Sequence, residues 1–378
     1  MKKTCTITFH AADNYGAFFQ AYALQTFLTE EVGVENDIIN FVSDHMKEHY
    51  KVFKKNNCIK SIVRNLIVLP YAKGINRRRK AFVDDRNKYL KLTKEISTED
   101  EYFELIKKYD LGIAGSDQIW NLHSEDFTPL FFLPGLKEKI SFAASTGNNV
   151  DKTKKKEYKE YLKDFKKVSI REKNVALFFN EMQLKSGATE VCIDPTFLLS
   201  SEDYKKLTSD QPHIKEKYIL FYSINNNDEA MKLASDCAKK MGMKIYAVYS
   251  RVTSIKAKKY GMKIYEQAGP SDFMNLLKHA ELVLTNSFHG TALSIIMNKE
   301  FLRIGLSVDG IMKRDERIDS ILEFCGLESR TITSEADFDK VKKFDWNIVS
   351  KNIAPQIKHA KDYLIANVKH SGDMSRLK

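Results

Sequence analysis

His289 is the side chain best placed for proton chemistry. It sits in Asn286-Ser287-Phe288-His289-Gly290, between an apolar run over residues 281–285 and a run with helical spacing over 290–297. A helix starting at that turn would present backbone N–H groups and the positive end of its dipole, a natural site for an anion. The same dipole disfavours an imidazolium until an anion arrives. The plainer alternative is a ring that only caps the turn. Arg171, in Ser169-Ile170-Arg171-Glu172, ends another strand-like run. Its guanidinium could hold a carboxylate or phosphate through two parallel hydrogen bonds. A salt bridge to Glu172 or to a helix C-terminus is the structural alternative.

Other apolar runs close on polar clusters of the same kind. Asn14-Tyr15-Gly16 follows residues 3–10, Ser116-Asp117-Gln118 follows 110–115, Ser145-Thr146 follows 139–144, and Asp194-Pro195 follows 190–193. Asn14 suits a helix cap. Asp117 and Gln118 could orient the polar groups of a ligand or cap a turn, and Ser145 and Thr146 add hydrogen-bond donors. Trp120 could be an apolar platform for a ligand or simply core. Asp194-Pro195 suits a turn between domains.

The elements that must position these groups alternate strand and helix from end to end. Residues 3–10, 36–41, 110–115, 139–144, 167–170 and 190–193 read as strands, as do 218–223, 244–249, 281–285 and 300–305. Between the first two lies a helix over 16–31, with Phe19, Ala23, Leu24, Phe27 and Leu28 on one face. This alternation predicts an α/β protein of two doubly wound Rossmann-like domains with parallel sheets, facing across a cleft. Residues 1–208 form the first domain, with a basic helical insert at about 42–108. Residues 209–350 form the second, which carries His289, and the helix over 351–378 is free to cross back to the first. Ligands in such folds bind beyond the carboxyl ends of the strands, where the polar clusters fall.

The chain has 378 residues, and 61 Lys and Arg against 50 Asp and Glu give a net charge of +11. With 43% hydrophobic residues, composition excludes disorder and collagen-like structure. The five cysteines form no CxxC pair and have no histidine at ligand spacing, so neither a disulfide framework nor a metal is expected. The apolar runs are all shorter than the roughly 18 residues that span a bilayer, and a cytoplasmic protein is expected. Residues 47–108 hold 17 basic and 8 acidic residues, including Arg77-Arg78-Arg79-Lys80. That excess suits nucleic acid, an anionic membrane or a phosphorylated ligand, or is a solvated helical face. No nucleic-acid-binding module accompanies it, so nucleic acid is not an expected partner.

Taken in order, several segments resemble the polysaccharide pyruvyl transferase family. They are Phe9-His10, Asn14-Tyr15-Gly16-Ala17 and Gln20-Ala21-Tyr22-Ala23-Leu24-Gln25, then Gly115-Ser116-Asp117-Gln118-Ile119-Trp120-Asn121 and Ser141-Phe142-Ala143-Ala144-Ser145. Ser169-Ile170-Arg171-Glu172, Asp194-Pro195-Thr196 and Thr285-Asn286-Ser287-Phe288-His289-Gly290-Thr291-Ala292 complete the series. The resemblance implies a GT-B-like fold and transfer of a pyruvyl group from phosphoenolpyruvate onto two hydroxyls of a sugar, as a cyclic ketal. It implies no cofactor beyond that donor substrate. His289 and Arg171 would be catalytic, with Arg171, Asn286, Ser287, His289 and Gly290 binding the donor. Asn14, Tyr15, Gly16, Ser116, Asp117, Gln118 and Ser145 would bind the acceptor.

The acceptor would be a sugar of a surface polysaccharide or a lipid-linked oligosaccharide, reached at the inner face of the cell membrane. One position departs from the family's pattern. Better-known branches carry an arginine two residues before the histidine, where this chain has Ser287. Either Arg303, Lys313, Arg314 or Arg317 supplies that contact, or the donor differs. The alternatives are therefore a GT-B-type glycosyltransferase using a nucleotide sugar, and a non-catalytic basic protein that binds glycans or membranes.

Overall fold

Strand β1 (Lys3–Ile7) is buried from Thr4 onward, as a parallel strand covered on both faces must be. In the computed structural model, residues 2–42, 47–48, 51–53, 55, 58–147, 150–224, 227–248, 256–266, 268–305, 307–308, 311–312, 315–341 and 343–369 are described. They divide into two compact units. The first comprises Met1–Tyr50, Asn87–Leu199 and Ala354–Lys378; the second comprises Lys51–Arg86 and Ser200–Ile353.

In the first unit β1 pairs in parallel with β2 (Glu35–Ile38) and with β3 (Leu111–Ala114), which pairs in turn with β4 (Lys139–Ser141). Strands β5 (Ser169–Ile170) and β6 (Glu190–Val191) pair with each other. Parallel bridges from Ile140 to Lys167 and from Ala144 to Ile170 continue the ladder from β4 to β5. Because every pairing is parallel, all six carboxyl ends leave the sheet at one edge.

The strands are shorter than the apolar runs in the sequence. Beyond Ile7 the chain leaves the ladder, and the Thr8 hydroxyl donates to Ser116 O at 2.8 Å instead. Helix α1 (Tyr15–Thr26) follows, with the Asn14 side chain accepting from Ala17 N. It is buried nearly all round and not along one face alone, because it also packs against the Pro195–Leu198 turn. Gln20 and Gln25 tolerate this by bonding inside. Gln20 Nε2 reaches Phe9 O at 2.8 Å, and Gln25 Nε2 reaches Asn36 O at 3.0 Å.

Within the basic insert, α2 (Ile59–Val68) and α3 (Ala72–Tyr89) are joined by a turn of 3₁₀ helix, Leu69–Tyr71, while residues 90–98 are not helical. The sequence reading gave this insert to the first domain. Contacts give Lys51–Arg86 to the second unit, because α3 packs on helix α4 (Pro270–His279). Asp85 of α3 accepts from the backbone N–H of Ser271 at 2.7 Å and from its hydroxyl at 3.0 Å. At Gly269 an added Cβ would come within 2.9 Å of Ala81. Contiguity in sequence did not reveal that contact.

The second unit holds a six-stranded parallel sheet. Its strands are β7 (Tyr218–Tyr222), β8 (Lys244–Val248), β9 (Lys263–Tyr265), β10 (Leu282–Thr285), β11 (Phe301–Ile304) and β14 (Thr331–Ile332), in the order β14-β11-β10-β7-β8-β9. A two-residue hairpin pair, β12 (Ser307–Val308) and β13 (Ile311–Met312), stands apart from it. Tyr249, expected to end β8, lies outside the described residues. Helix α5 (Phe288–Ile296) leaves the end of β10. The last helix, α6 (Trp346–Lys369), belongs to the first unit from Ala354 onward, where Tyr363 Oη donates to Ser141 O at 3.0 Å.

The Asp85 contact carries a prediction. Asp85→Ala leaves the start of α4 without its acceptor, so it should cost about 1–3 kcal/mol. Chemical denaturation followed by tryptophan and circular dichroism signals reads this out. An unchanged midpoint would contradict the insert's place in the second unit.

Candidate active site

At the edge of the first sheet, Arg171 follows β5 and Asp194 follows β6 by three residues. The Arg171 Nη2 group is paired with the Asp194 carboxylate and donates to Ser116 Oγ, just after β3. Both charged side chains are almost fully buried. The other carboxylate oxygen of Asp194 accepts from Thr196 N at 2.9 Å and from its hydroxyl at 2.7 Å. The partner is Asp194 and not Glu172, the structural alternative for Arg171. Glu172 instead accepts from the Ser145 hydroxyl, and Gly147 N donates to that same hydroxyl at 3.0 Å. Asp194 does more than shape a turn. It is the counter-charge that sequence reasoning missed, because nothing in the spacing of residues 171 and 194 brings them together.

The same edge holds two non-glycine residues in the left-handed region, Asp117 (φ 66°) and Ala143 (φ 45°). Such backbone persists only where its surroundings enforce it, and it gathers at functional sites. Here Asp117 O accepts from Ser145 N at 3.0 Å, and its carboxylate accepts from Gln118 N at 2.9 Å. Gln118 Oε1 accepts from Asn121 Nδ2 at 3.3 Å.

The expected acceptor residues divide by exposure. Asn14 is exposed and Asp117 and Gln118 are half-buried, so all three present side-chain surface. Tyr15, Gly16, Ser116 and Ser145 are buried and shape the edge from below. Trp120 is core: its ring stacks on Phe132 at 5.0 Å, and its indole N–H donates to Phe131 O at 3.3 Å. His10 is a structural histidine, with ring nitrogens 3.1 Å from Thr8 O and 2.9 Å from Asn40 Oδ1. Burial pushes the nearby Cys192 thiol up to about 12, so it supplies no thiolate near neutral pH.

In the second unit Ser287 caps α5, its hydroxyl accepting from Gly290 N at 3.3 Å. The residue that stands in place of the family arginine thus builds the helix start. Ser287 N donates to Thr285 Oγ1 at 3.0 Å, which closes the turn out of β10. Gly290 is required there, because a Cβ would overlap Thr285 Oγ1 and come within 2.9 Å of Tyr222. Asn286 Oδ1 accepts from Ile224 N at 2.8 Å, tying this turn to the end of β7.

His289 occupies the second position of α5 and is 7% exposed. Its ring stands edge-on to Phe288 at 5.0 Å. The backbone therefore brings a buried imidazole to a helix N-terminus at a strand end, as the sequence pattern predicts. Of the cations proposed to replace the missing arginine, Arg303 is paired with Asp319. Arg317 donates to Asp315 at 2.8 and 3.1 Å. Burial alone would raise the Asp315 carboxyl, but the Arg317 hydrogen bonds outweigh it and hold it below its usual value. Lys313 and Arg314 lie outside the described residues.

Two parallel α/β units with polar groups at their strand ends define a GT-B-like fold, and solved structures agree. A S. aureus MnaA solved with UDP aligns at a TM-score of 0.53 and 13% identity, covering 98% of this chain and 96% of the other. A putative UDP-N-acetylglucosamine 2-epimerase from Listeria monocytogenes aligns at 0.50 and 10%, covering 97% and 91%. The UDP-N-acetylglucosamine 2-epimerase of Rickettsia bellii aligns at 0.50 and 14%, covering 98% and 99%. At such identities the likeness shows the fold. The sequence profile of the polysaccharide pyruvyl transferases matches residues 14–307, from the Asn14 cap past the His289 turn, and the chain belongs to that family. The family is one of transferases that modify polysaccharides. No curated protein sequence matches the chain.

The buried pair in the first unit makes a stability prediction. Arg171→Met leaves the Asp194 carboxylate buried without its partner and should cost about 3–5 kcal/mol. Adding Asp194→Leu should return much of that loss. Denaturation of the two variants tests this, and a loss below about 1 kcal/mol in the single variant would contradict the pairing.

Proposed function

We propose that the protein transfers a pyruvyl group from phosphoenolpyruvate onto two hydroxyls of one sugar in a cell-surface polysaccharide or its lipid-linked precursor. The observation that carries this reading is the buried His289 at the start of α5, inside the family match. His289 delivers a proton to the methylene carbon of the donor, which becomes a methyl group. The first sugar oxygen bonds to the central carbon, the bond from that carbon to the phosphate oxygen breaks, and inorganic phosphate leaves. The second sugar oxygen then closes the ketal. The two hydroxyl protons pass to the emptied imidazole and to the departing phosphate. The helix N-terminus at Phe288–Gly290 favours the donor's negative charge.

Asn14, Asp117 and Gln118 are the side chains offered to the acceptor. Arg171 positions Ser116 and the turn after it; with Nη2 engaged by Asp194, it does not grip the donor alone. No cofactor enters this scheme. The acceptor, when lipid-linked, would be met at the inner face of the cell membrane. A nucleotide-sugar donor is the competing reading, favoured by Ser287 and by the ion pairs that engage Arg303 and Arg317.

His289→Ala should lower phosphate release from phosphoenolpyruvate by about 10²–10⁴, the usual contribution of a positioned acid or base. The thermal denaturation midpoint should stay close to that of the parent protein. Near-normal turnover of the folded variant would remove His289 from the chemistry.

A further inference from the structure

Helix α2 is amphipathic in the reverse sense for a solvated helix. Ile59, Ile62, Val63, Leu66, Ile67 and, one residue past its end, Leu69 recur at helical spacing as one stripe, each between 43 and 80% exposed. The opposite side carries Ser61, Arg64, Asn65 and Val68, and that side faces the protein. Val68 is buried, and Arg64 Nη1 donates to Val52 O at 3.2 Å. A surface helix of a soluble domain normally turns its stripe inward. A contiguous exposed apolar patch marks an interaction surface.

The charge around the stripe selects its occupant. From Lys51 to Val83 the chain has ten Lys or Arg and no Asp or Glu. Lys60 on α2 and Lys73 at the start of α3 are exposed. A second copy of the chain would bring the same positive segment against itself. An anionic lipid bilayer answers both features: apolar side chains enter the headgroup–acyl boundary, and the lysines and arginines stay among the headgroups.

We propose that α2, with its flanking basic residues, docks the protein on the surface of an anionic bilayer. The contact is interfacial, since no described helix is long and apolar enough to cross a membrane. This deepens the proposed function by naming how the enzyme would reach a lipid-linked acceptor. It is separable from that reading, because vesicle binding requires neither donor nor turnover.

Co-sedimentation of the full chain with sucrose-loaded vesicles tests it. The protein should pellet with phosphatidylcholine–phosphatidylglycerol vesicles and remain in solution with phosphatidylcholine alone. Ile62→Ser with Leu66→Glu should lower partitioning about tenfold or more without changing thermal denaturation, since both side chains are exposed. Lys60→Glu with Lys73→Glu should lower it too and flatten its salt dependence. Absence of binding to the anionic vesicles, or equal binding by the Ile62/Leu66 variant, would overturn the proposal. So would a parent protein that is dimeric in solution and becomes monomeric in that variant.

Discussion

The ion pair between Arg171 and Asp194 is the constraint on which the edge of the first unit depends. Removing either charge from water costs several kcal/mol, and the attraction between them offsets this only where hydrogen bonds satisfy the remaining oxygens. Here the satisfaction is local. Thr196 donates twice to one carboxylate oxygen, while Nη2 of Arg171 engages the other oxygen and Ser116. Three strand ends, those of β3, β5 and β6, are thereby held in one register. The left-handed Asp117 follows directly on Ser116, so the loop that presents Asp117 and Gln118 is fixed from beneath.

The second unit reaches a defined edge by a different route. No buried charge pair is needed at the start of α5. A serine cap, a threonine hydroxyl and a glycine that lets the helix approach β10 closely are enough. Among the described residues, Arg303 and Arg317 near that edge are matched to Asp319 and Asp315.

Much of this was legible in the sequence because apolar runs ending in small polar residues have one physical meaning in an α/β chain. The ten predicted strands appear in order, and His289 lies at a helix start as its neighbours require. The two edge strands of the second sheet, β9 and β14, were not foreseen, being only three and two residues long. Three further things were not legible. Helix α1 is buried nearly all round, which its apolar stripe could not show because Gln20 and Gln25 hide their amides in internal hydrogen bonds. The insert joins the second unit through Asp85, a contact with a residue far along the chain. Arg171 finds its partner in Asp194 and not in adjacent Glu172, because the parallel sheet sets β5 beside β6 and brings their ends together.

The central claim is that a solvent-derived proton, carried by His289, ends on the methyl group of a sugar ketal. Its most direct test is incubation of the purified protein with phosphoenolpyruvate and a lipid-linked oligosaccharide extract in deuterated water, followed by proton and carbon NMR of the glycan. The account predicts a ketal methyl that carries deuterium, formed in step with inorganic phosphate release and lost in His289→Ala. Release of nucleotide from a nucleotide sugar in a parallel incubation, with no phosphate freed from phosphoenolpyruvate, would contradict it.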